Sequence, residues 1–374
     1  MKKNQIVIGA LLLSIVLLAI FLVRQSSDDV PTAPSIGLNM PLSGGLAFWG
    51  TSIQQGMKLA HEIDTRDHPN DLVVLVVEDN AGEVRNALSI MRKLTSVDNV
   101  AVVVSSLTPL SKPLRPLALE TKTPLLGTVV ASLNFGEENS WSFRDYPTPD
   151  QLSAYMADFA FNNMNLRRAV SLVVDDEYGR DSQTIFEQQF ESLGGSALGG
   201  DTMSQQDTDA RAQITKLLAL DPDTAFLVIR ENALGIAVRQ FRELGFEGKI
   251  IGINAFDSPV VWRTSGESSN GVVFSSALID YEGNSEAKEF REAFLDRYDS
   301  EPYHTHAYGY SIGQYLFNLA RLSEGDSVKM GSLLTNMQFN TIRGDLSMSS
   351  SRDVLSGVAI YERQDGETVI VERR

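Results

Sequence analysis

The sequence of 374 residues contains no cysteine, only 4 histidines and no low-complexity tract. Without cysteine the chain can form neither a disulfide nor a thiolate nucleophile, and it cannot bind zinc through sulfur. It also lacks the residue that carries the lipid of bacterial lipoproteins. The absence of cysteine is compatible with an oxidising compartment but does not by itself identify one.

Basic residues are few as well. The 32 Lys and Arg residues stand against 48 Asp and Glu residues, which gives a formal net charge of -16. An acidic surface repels the phosphate backbone, so a nucleic-acid partner is disfavoured. Hydrophobic residues make up 43% of the chain and charged residues 21%. This is a globular composition, and the length favours two lobes or domains.

Motifs for catalysis and for phosphate binding are missing. The glycine-rich stretch 194–200 lacks the Gly-Lys-Ser/Thr ending of a phosphate-binding loop, and no Gly-x-Ser-x-Gly elbow occurs. Asp175-Asp176-Glu177 is chemically able to bind a cation, but a solvated loop is the simpler interpretation. His304 and His306 are two residues apart, so they fall on different helix faces, and we expect both on the surface or in loops. The sequence therefore predicts no enzyme, no cofactor and no metal.

The N-terminus carries a long apolar run, Ile6–Val23, behind Lys2 and Lys3. Its roughly eighteen residues would span about 27 Å as a helix, close to the thickness of the bilayer core. We favour an uncleaved signal anchor over residues 1–24, with a cytoplasmic N-terminus, followed by a tether over residues 25–35. A cleaved signal peptide remains the alternative.

Beyond the tether, short β-rich apolar runs alternate with helical stripes, and the alternation restarts after Tyr146. Two consecutive sets of this kind predict an α/β fold with two doubly wound lobes. The segments Gly357–Arg363 and Thr368–Glu372 flank Asp365-Gly366, which is a strong hairpin signal. The runs that we predict as strands are Ile36–Met40, Leu72–Val77, Val100–Val104, Pro124–Leu126, Val170–Val174, Ala225–Ile229 and Lys249–Ile253.

Hydroxylic and aromatic residues follow several of these predicted strands. Because ligands of doubly wound sheets bind at the carboxyl ends of the strands, the cleft between two such lobes is the expected site. No nucleophile–base pair accompanies these residues, so they suit recognition better than catalysis. The residues are Ser43, Trp49, Ser105, Ser106, Thr128 through Ser132, and Tyr178.

The ordered series of segments resembles the type I periplasmic binding proteins, especially the branched-chain amino-acid-binding group of ABC transporter substrate-binding proteins. The resemblance covers roughly Ser35 to Glu372. It implies three crossings between the lobes and a hinge, with lobe 1 over residues 36–146 plus 276–345 and lobe 2 over 147–275 plus 346–374. The segments that carry it are Pro41-Leu42-Ser43-Gly44, Trp49-Gly50, Gly56, Glu78-Asp79-Asn80, Ser105-Ser106, Pro124-Leu125-Leu126, Phe143-Arg144, Asp175–Arg180, Glu243–Phe246, Asn270-Gly271-Val272, Pro302 and Ala307-Tyr308.

The resemblance also implies a binding site. In amino-acid-binding members a serine and backbone amides of the first lobe hold the ligand carboxylate. Ser105 or Ser106 matches that serine, and Val130, Ala131 and Ser132 match a second clamp. The rings at Trp49 and Tyr178 would line the pocket.

Two positions depart from the family pattern. Ala131 stands where the family has a threonine, and Asn254 stands near the acid that pairs with the ligand ammonium. A buried ammonium without an anion is costly. An ordinary α-amino acid would therefore bind poorly unless Asp145, Asp257 or Glu231 substitutes.

Arg230 lies at a second-lobe strand end. It is placed either to pair with a ligand anion or to form a surface ion pair.

The resemblance implies a periplasmic protein that closes over a small polar ligand, which we expect to be amino-acid-like, an amide or a small carboxylate. The expected partners are that ligand, an ABC permease, and the inner membrane through residues 6–23. The alternative is a membrane-tethered sensing subunit that presents its closed state to a membrane receptor.

Overall fold

The computed structural model describes residues 33–132, 134–137, 139–204 and 206–374. The predicted signal anchor and most of the predicted tether lie outside these residues. Within the described part of the chain, no helix combines the length and the apolar character needed to cross a membrane.

Five parallel strands form the first sheet. In chain order they are β1 (Ser35–Met40), β2 (Val74–Asp79), β3 (Val102–Ser106), β4 (Leu125–Thr128) and β5 (Ser142–Asp145). Their spatial order is β2-β1-β3-β4-β5. Val102 and Val104 enter one apolar core and Val103 enters another. A strand that is apolar on both faces needs cover on both faces. The helices between these strands are α1 (Ala47–Asp67), α2 (Val84–Ser96), α3 (Thr108–Ser111) and α4 (Arg115–Thr121).

A second sheet begins with five more parallel strands. They are β6 (Arg168–Val174), β7 (Ser196–Met203), β8 (Thr224–Val228), β9 (Lys249–Ile253) and β10 (Val273–Ala277). Successive side chains of β8 again enter two different apolar cores: Ala225 and Leu227 enter one, and Phe226 enters the other. The helices of this part are α5 (Pro149–Asn162), α6 (Glu177–Ser192), α7 (Arg211–Leu218), α8 (Glu231–Glu243) and α9 (Pro259–Ser265).

After β10 the chain returns to the first lobe. It adds α10 (Ser285–Tyr298), α11 (His304–Ser323), α12 (Ser327–Thr335) and the small antiparallel sheet β11 (Gln338–Thr341), β12 (Gly344–Met348) and β13 (Val354–Leu355). Helix α11 packs closely on α1. A Cβ atom at Gly56 would lie 1.9 Å from the carbonyl oxygen of His306, and one at Gly309 would lie 2.0 Å from that of Ile53. Only glycine permits this approach.

The chain ends in the predicted hairpin, which the structure confirms: β14 (Val358–Gln364) and β15 (Glu367–Arg373) pair antiparallel. The turn residues Asp365 and Gly366 have φ of 48° and 86°, as a two-residue type I′ turn requires. The hairpin completes the second sheet in the order β15-β14-β10-β9-β8-β6-β7. The predicted α/β architecture with two doubly wound lobes is confirmed.

Three segments connect the two large sheets: residues 146–148, 278–284 and 356–357. The last of these differs from the predicted boundary after residue 345. Strands β12 and β13 belong to the small sheet, and Asp353 forms a bridge to Arg144 of β5. We therefore place residues 346–355 with lobe 1, because their backbone hydrogen bonds are made there.

Candidate functional site

A cavity of about 270 Å³ lies between the two lobes. Its walls follow the carboxyl ends of strands in both large sheets, which is where α/β proteins bind their ligands. Most of the wall is apolar or aromatic, with a few polar groups among these side chains. The lining residues are Leu46, Trp49, Leu107, Thr108, Pro109, Val129, Ala131, Tyr146, Asp176, Tyr178, Arg230, Asn254 and Ala255.

The first-lobe wall is built from two strained loops. Leu107, after β3, has φ of 67°, and Val129, after β4, has φ of 54°. Positive φ is rare outside glycine, above all for a β-branched residue, and costs on the order of 1–3 kcal/mol. The loops are tied together, because the Ala131 N–H donates to the Thr108 hydroxyl oxygen at 3.0 Å. Strain held in this way at a cavity wall is typical of a functional site.

A hydrogen-bonded chain of three side chains crosses between the lobes at the cavity. The Tyr178 hydroxyl donates to Asn254 Oδ1 at 2.9 Å, and Asn254 Nδ2 donates to the Tyr146 hydroxyl at 2.6 Å. Burial raises the pKa of both tyrosines, so both are neutral phenols at physiological pH. The Asn254 amide is therefore engaged with neutral partners and offers a ligand ammonium no counter-charge.

An ion pair stands at the second-lobe side of the cavity. Arg230 donates to Asp176, and its guanidinium lies 4.8 Å from the centre of the Tyr178 ring. Asp176 also caps α6 by accepting the Gly179 N–H at 3.0 Å. Arg230 therefore forms an ion pair with Asp176 at the cavity wall.

A second carboxylate, Asp257, ends the 3₁₀ helix Asn254–Asp257 and is not among the residues that line the cavity. Its side chain is 15% exposed and accepts a hydrogen bond from the Ser276 hydroxyl. His304 faces it from the first lobe, with Nδ1 3.9 Å from Asp257 Oδ2, and the His304 ring lies 6.3 Å from the Trp49 ring. Burial raises the pKa of Asp257 to about 7 and lowers that of His304 to about 4. The imidazole is therefore neutral near pH 7.

Two buried ion pairs hold the chain at the lobe junction. Arg343 Nη2 donates to Asp145 Oδ2 at 2.7 Å, and the Tyr315 hydroxyl donates to the same oxygen at 2.7 Å. The neighbouring residue, Arg144, donates from Nε to Asp353 at 2.8 Å. These contacts hold Asp145 Oδ2 within the first lobe, and Asp145 is not among the residues that line the cavity.

Five of the ten residues predicted for the site line the cavity: Trp49, Ala131, Tyr178, Arg230 and Asn254. The structure brings these five together from both lobes.

The other five predicted site residues lie outside the cavity wall. Ser43 is exposed, and its backbone N–H donates to Asp79 at 3.2 Å. Ser105 and Ser106 are fully buried. Ser105 Oγ accepts from the Ser111 hydroxyl at 3.0 Å, whereas Ser106 Oγ has no hydrogen-bond partner in the described part of the chain. Val130 packs in a first-lobe core.

Ser132 is the last of these five residues. It is also buried, and its carbonyl oxygen accepts a hydrogen bond from Arg144.

Sequence reasoning missed residues next to the predicted ones. It selected the last two residues of β3, whereas Leu107, Thr108 and Pro109 of the following loop line the cavity. Val129 also lines the cavity, and it lies inside the predicted segment Thr128 through Ser132. Tyr146 had no such signal, because β5 was not recognised as a strand.

The prediction of surface histidines was wrong. His304 and His306 begin α11, and 8% of the His304 side chain and 5% of His306 are exposed. Nδ1 of His306 accepts the Tyr303 N–H at 2.8 Å, and burial lowers the pKa of His306 to about 3. Among the residues that the structure describes, no group of three acidic or histidine side chains is placed to hold a metal.

Comparisons with known proteins agree with this architecture. The family model described as "Periplasmic binding protein" matches residues 34–361. Among curated proteins, "Leu/Ile/Val-binding protein homolog 3" of Brucella melitensis is 24% identical over 349 residues, which cover 90% of this chain and 93% of that protein.

Two solved structures have a similar fold. The branched-chain amino acid transporter substrate-binding protein LivJ from Streptococcus pneumoniae, in complex with isoleucine, has a TM-score of 0.82 at 20% identity and covers 91% of this chain and 100% of its own. A solute-binding protein of an ABC transporter from Rhodopseudomonas palustris, in complex with 3,4-dihydroxybenzoic acid, has a TM-score of 0.80 at 22% identity. It covers 91% of this chain and 97% of its own. These relatives are binding proteins and not enzymes.

Proposed function

The chain belongs to the periplasmic binding protein family, and from this premise we propose that it closes two lobes over a small carboxylate-bearing ligand and delivers it to an ABC permease. The family implies a location outside the cytoplasm. The relatives described above include transporter proteins that hold isoleucine and 3,4-dihydroxybenzoic acid. Both of these ligands join a carboxylate to an apolar or aromatic body.

The observation that carries the proposal is the cavity itself. Its volume of about 270 Å³ is just below the ~300–1,000 Å³ typical of small-molecule sites, which suits a small metabolite. Both lobes contribute to its wall, so closure of the lobes would enclose the ligand. The rings of Trp49 and Tyr178 offer an apolar surface for the body of the ligand.

We place the ligand carboxylate at the first-lobe loops after β3 and β4. These loops bring Leu107, Thr108, Pro109, Val129 and Ala131 to the cavity. The strain at Leu107 and Val129 supports this assignment, because a strained backbone persists only where its surroundings hold it. Ser105 and Ser106 would support these loops from behind, since both side chains are buried.

Truncation of the aromatic wall tests the proposed site. We expect Trp49→Ala and Tyr178→Ala to weaken ligand binding by a few kcal/mol, since buried aromatic contacts dominate such interfaces. Isothermal titration calorimetry with the ligand identified by mass spectrometry of the purified protein measures this. Trp262→Ala is the matched control, because Trp262 packs on Phe256 within the second lobe and does not line the cavity. Unchanged affinity in the Trp49 and Tyr178 variants would remove both residues from the site.

The transport role needs a separate experiment. We expect the purified protein to stimulate ligand uptake by its permease in proteoliposomes, and the comparisons favour this outcome over the sensing alternative. The sensing role would be favoured instead if uptake did not change while a membrane receptor bound the closed form. The predicted N-terminal anchor lies outside the described residues.

A further inference from the structure

We propose that Lys112 of lobe 1 and Glu177 of lobe 2, with Asp181 beside it, form an interlobe ion pair at the rim of the cavity that favours the closed over the open arrangement of the lobes. This inference rests on the lobe closure in the proposed function. It adds a contact of the protein with itself, which acts on closure without touching the ligand.

The interlobe ion pair joins two segments that both reach the cavity. Lys112 directly follows α3, whose Thr108 lines the cavity, and Glu177 directly precedes Tyr178 of the opposite wall. Lys112 Nζ lies 3.9 Å from a carboxylate oxygen of Glu177. Because the two residues belong to different lobes, opening of the lobes would separate them.

Both partners project from backbone that is held in place. Lys112 lies in a helical stretch, residues 108–121, that runs without a break from α3 to the end of α4. Glu177 is the first residue of α6, and the start of this helix is fixed by Asp176, which accepts the Gly179 N–H at 3.0 Å. A side chain on ordered backbone loses less conformational freedom when it forms a contact than one on a mobile loop.

The acids at the start of α6 differ in where their counter-charges lie. Asp175 is paired with Arg180 at 2.6 Å, and Asp176 is paired with Arg230. These two ion pairs lie within lobe 2, so opening of the lobes does not break them.

Glu177 and Asp181 face a cation of the other lobe instead. Among the described residues, neither forms an ion pair with a Lys or Arg of lobe 2. They are four residues apart on α6, and like charges at this spacing repel each other. Burial and then the charge of Glu177 raise the pKa of Asp181, whereas Arg180 and Lys112 act in the opposite direction. Lys112 therefore offsets part of the repulsion between the two acids, and it does so from across the cleft.

The exposure of the interlobe ion pair sets the size of its effect. The Lys112 side chain is 44% exposed and the Glu177 side chain is 61% exposed. Ion pairs in contact with water are weak and are screened by salt. We therefore expect the pair to change the ratio of closed to open molecules by about threefold at low salt and by less at high salt.

Single-molecule FRET on the full chain tests this expectation. Because the chain contains no cysteine, dyes can be attached at Glu120→Cys of lobe 1 and Gln188→Cys of lobe 2, which replace exposed residues. We expect the ratio of closed to open molecules to fall about threefold when NaCl is raised from about 50 to about 500 mM. In Lys112→Glu we expect this ratio to be about tenfold lower at the lower salt concentration and to rise with salt, because repulsion replaces attraction.

Two further variants give the controls. Lys112→Glu combined with Glu177→Lys restores the attraction with the charges exchanged, and we expect it to recover most of the closed population. Lys329→Glu breaks an exposed pair with Glu324 inside lobe 1, and we expect it to leave the ratio unchanged.

Four results would overturn the interlobe ion pair: a wild type without a closed population, an unchanged ratio in Lys112→Glu, an equal shift in Lys329→Glu, or no recovery when the charges are exchanged. The proposed function would stand in each case, because the ligand affinities of the aromatic-wall variants test it separately.

Discussion

Asp145 and Asp257 are two buried carboxylates near the lobe junction, and their surroundings differ sharply. Asp145 lies at the end of β5 and binds Arg343 and the Tyr315 hydroxyl, each at 2.7 Å. Asp257 has one hydroxyl and a neutral imidazole 3.9 Å away. Because a buried charge needs a partner, the first carboxylate belongs to the fold, whereas the second forms no ion pair with a Lys or Arg among the described residues.

The two carboxylates also differ in whether the residues that contact them come from the same lobe. Asp145, Arg343 and Tyr315 all belong to the first lobe, so their contacts do not depend on the angle between the lobes. Asp257 follows β9 of the second sheet, whereas His304 begins α11 of the first lobe. The two residues therefore belong to different lobes, and a change in the angle between the lobes would change their separation.

The largest effect on stability is expected when the buried ion pair between Arg343 and Asp145 is broken. Arg343→Met leaves Asp145 buried without its cation, and we expect it to lower the free energy of unfolding by about 3–5 kcal/mol. Arg291→Met is the matched control, because it removes an exposed Arg–Glu301 pair and should cost less than about 1 kcal/mol. Urea unfolding of both variants measures the difference. Equal losses would mean that the Asp145 pair stabilises the fold no more than a surface contact does.

Replacing the Asp257 carboxylate is expected to change the free energy of unfolding by an intermediate amount and in the opposite direction, towards higher stability. Its native pKa of about 7 exceeds the unfolded value of about 3.9, so between these pH values the native state holds a proton that the unfolded state has lost. Ionisation of this carboxylate therefore lowers the free energy of unfolding progressively as pH rises from 4 to 7. We expect Asp257→Asn to stabilise the ligand-free protein at pH 8 by on the order of 2–4 kcal/mol and to have little effect at pH 4.

Two comparisons isolate this effect. His304 acts in the opposite direction, because its pKa of about 4 makes the native state lose stability as pH falls below about 6.5. That contribution is shared by the wild type and the variant, so the difference between their thermal unfolding curves at each pH reports Asp257. Asp145→Asn should destabilise at pH 8, since it strands Arg343. A loss of stability in both Asn variants would contradict the contrast between the two carboxylates.

The smallest effect on the free energy of unfolding is expected from the three hydrogen-bonded side chains Tyr178, Asn254 and Tyr146, which link the lobes. Tyr146→Phe removes the acceptor of the Asn254 amide and should cost about 1–2 kcal/mol, because a buried donor is left unpaired. Tyr155→Phe removes a hydroxyl that donates to Glu372 away from the cavity, and it serves as the control for urea unfolding and ligand affinity. If both variants bind ligand equally well, the chain of three side chains has no role in recognition.

Part of the secondary structure followed from local signals in the sequence. The runs that we predicted as strands correspond to β1, β2, β3, β4, β6, β8 and β9, because apolar runs of strand length between helical stripes indicate buried parallel strands. The hairpin was predictable from Asp365-Gly366, since a type I′ turn needs residues that accept positive φ. The short strand β5 has no such signal, and Tyr146 was missed with it.

The site was harder to predict, because burial is a property of packing and not of spacing. The spacing of His304 and His306 excluded a helical metal pair but did not show that α11 lies against α1 through Gly56 and Gly309. Ser105 and Ser106 were identified as strand-end residues, yet the cavity begins one residue later, at Leu107. A single-residue shift at a strand end changes which side chains face the ligand.

The sequence by itself determined the two-lobed α/β class, the absence of cysteine chemistry and the position of the cleft at strand ends. These follow from composition and from periodicity, which act over a few residues. Only the tertiary structure decided which acids are neutralised. Arg343 is 198 residues from Asp145 in the chain, and His304 comes from a different lobe than Asp257. Charge compensation depends on distance in space, and folding alone brings such distant residues within a few ångströms.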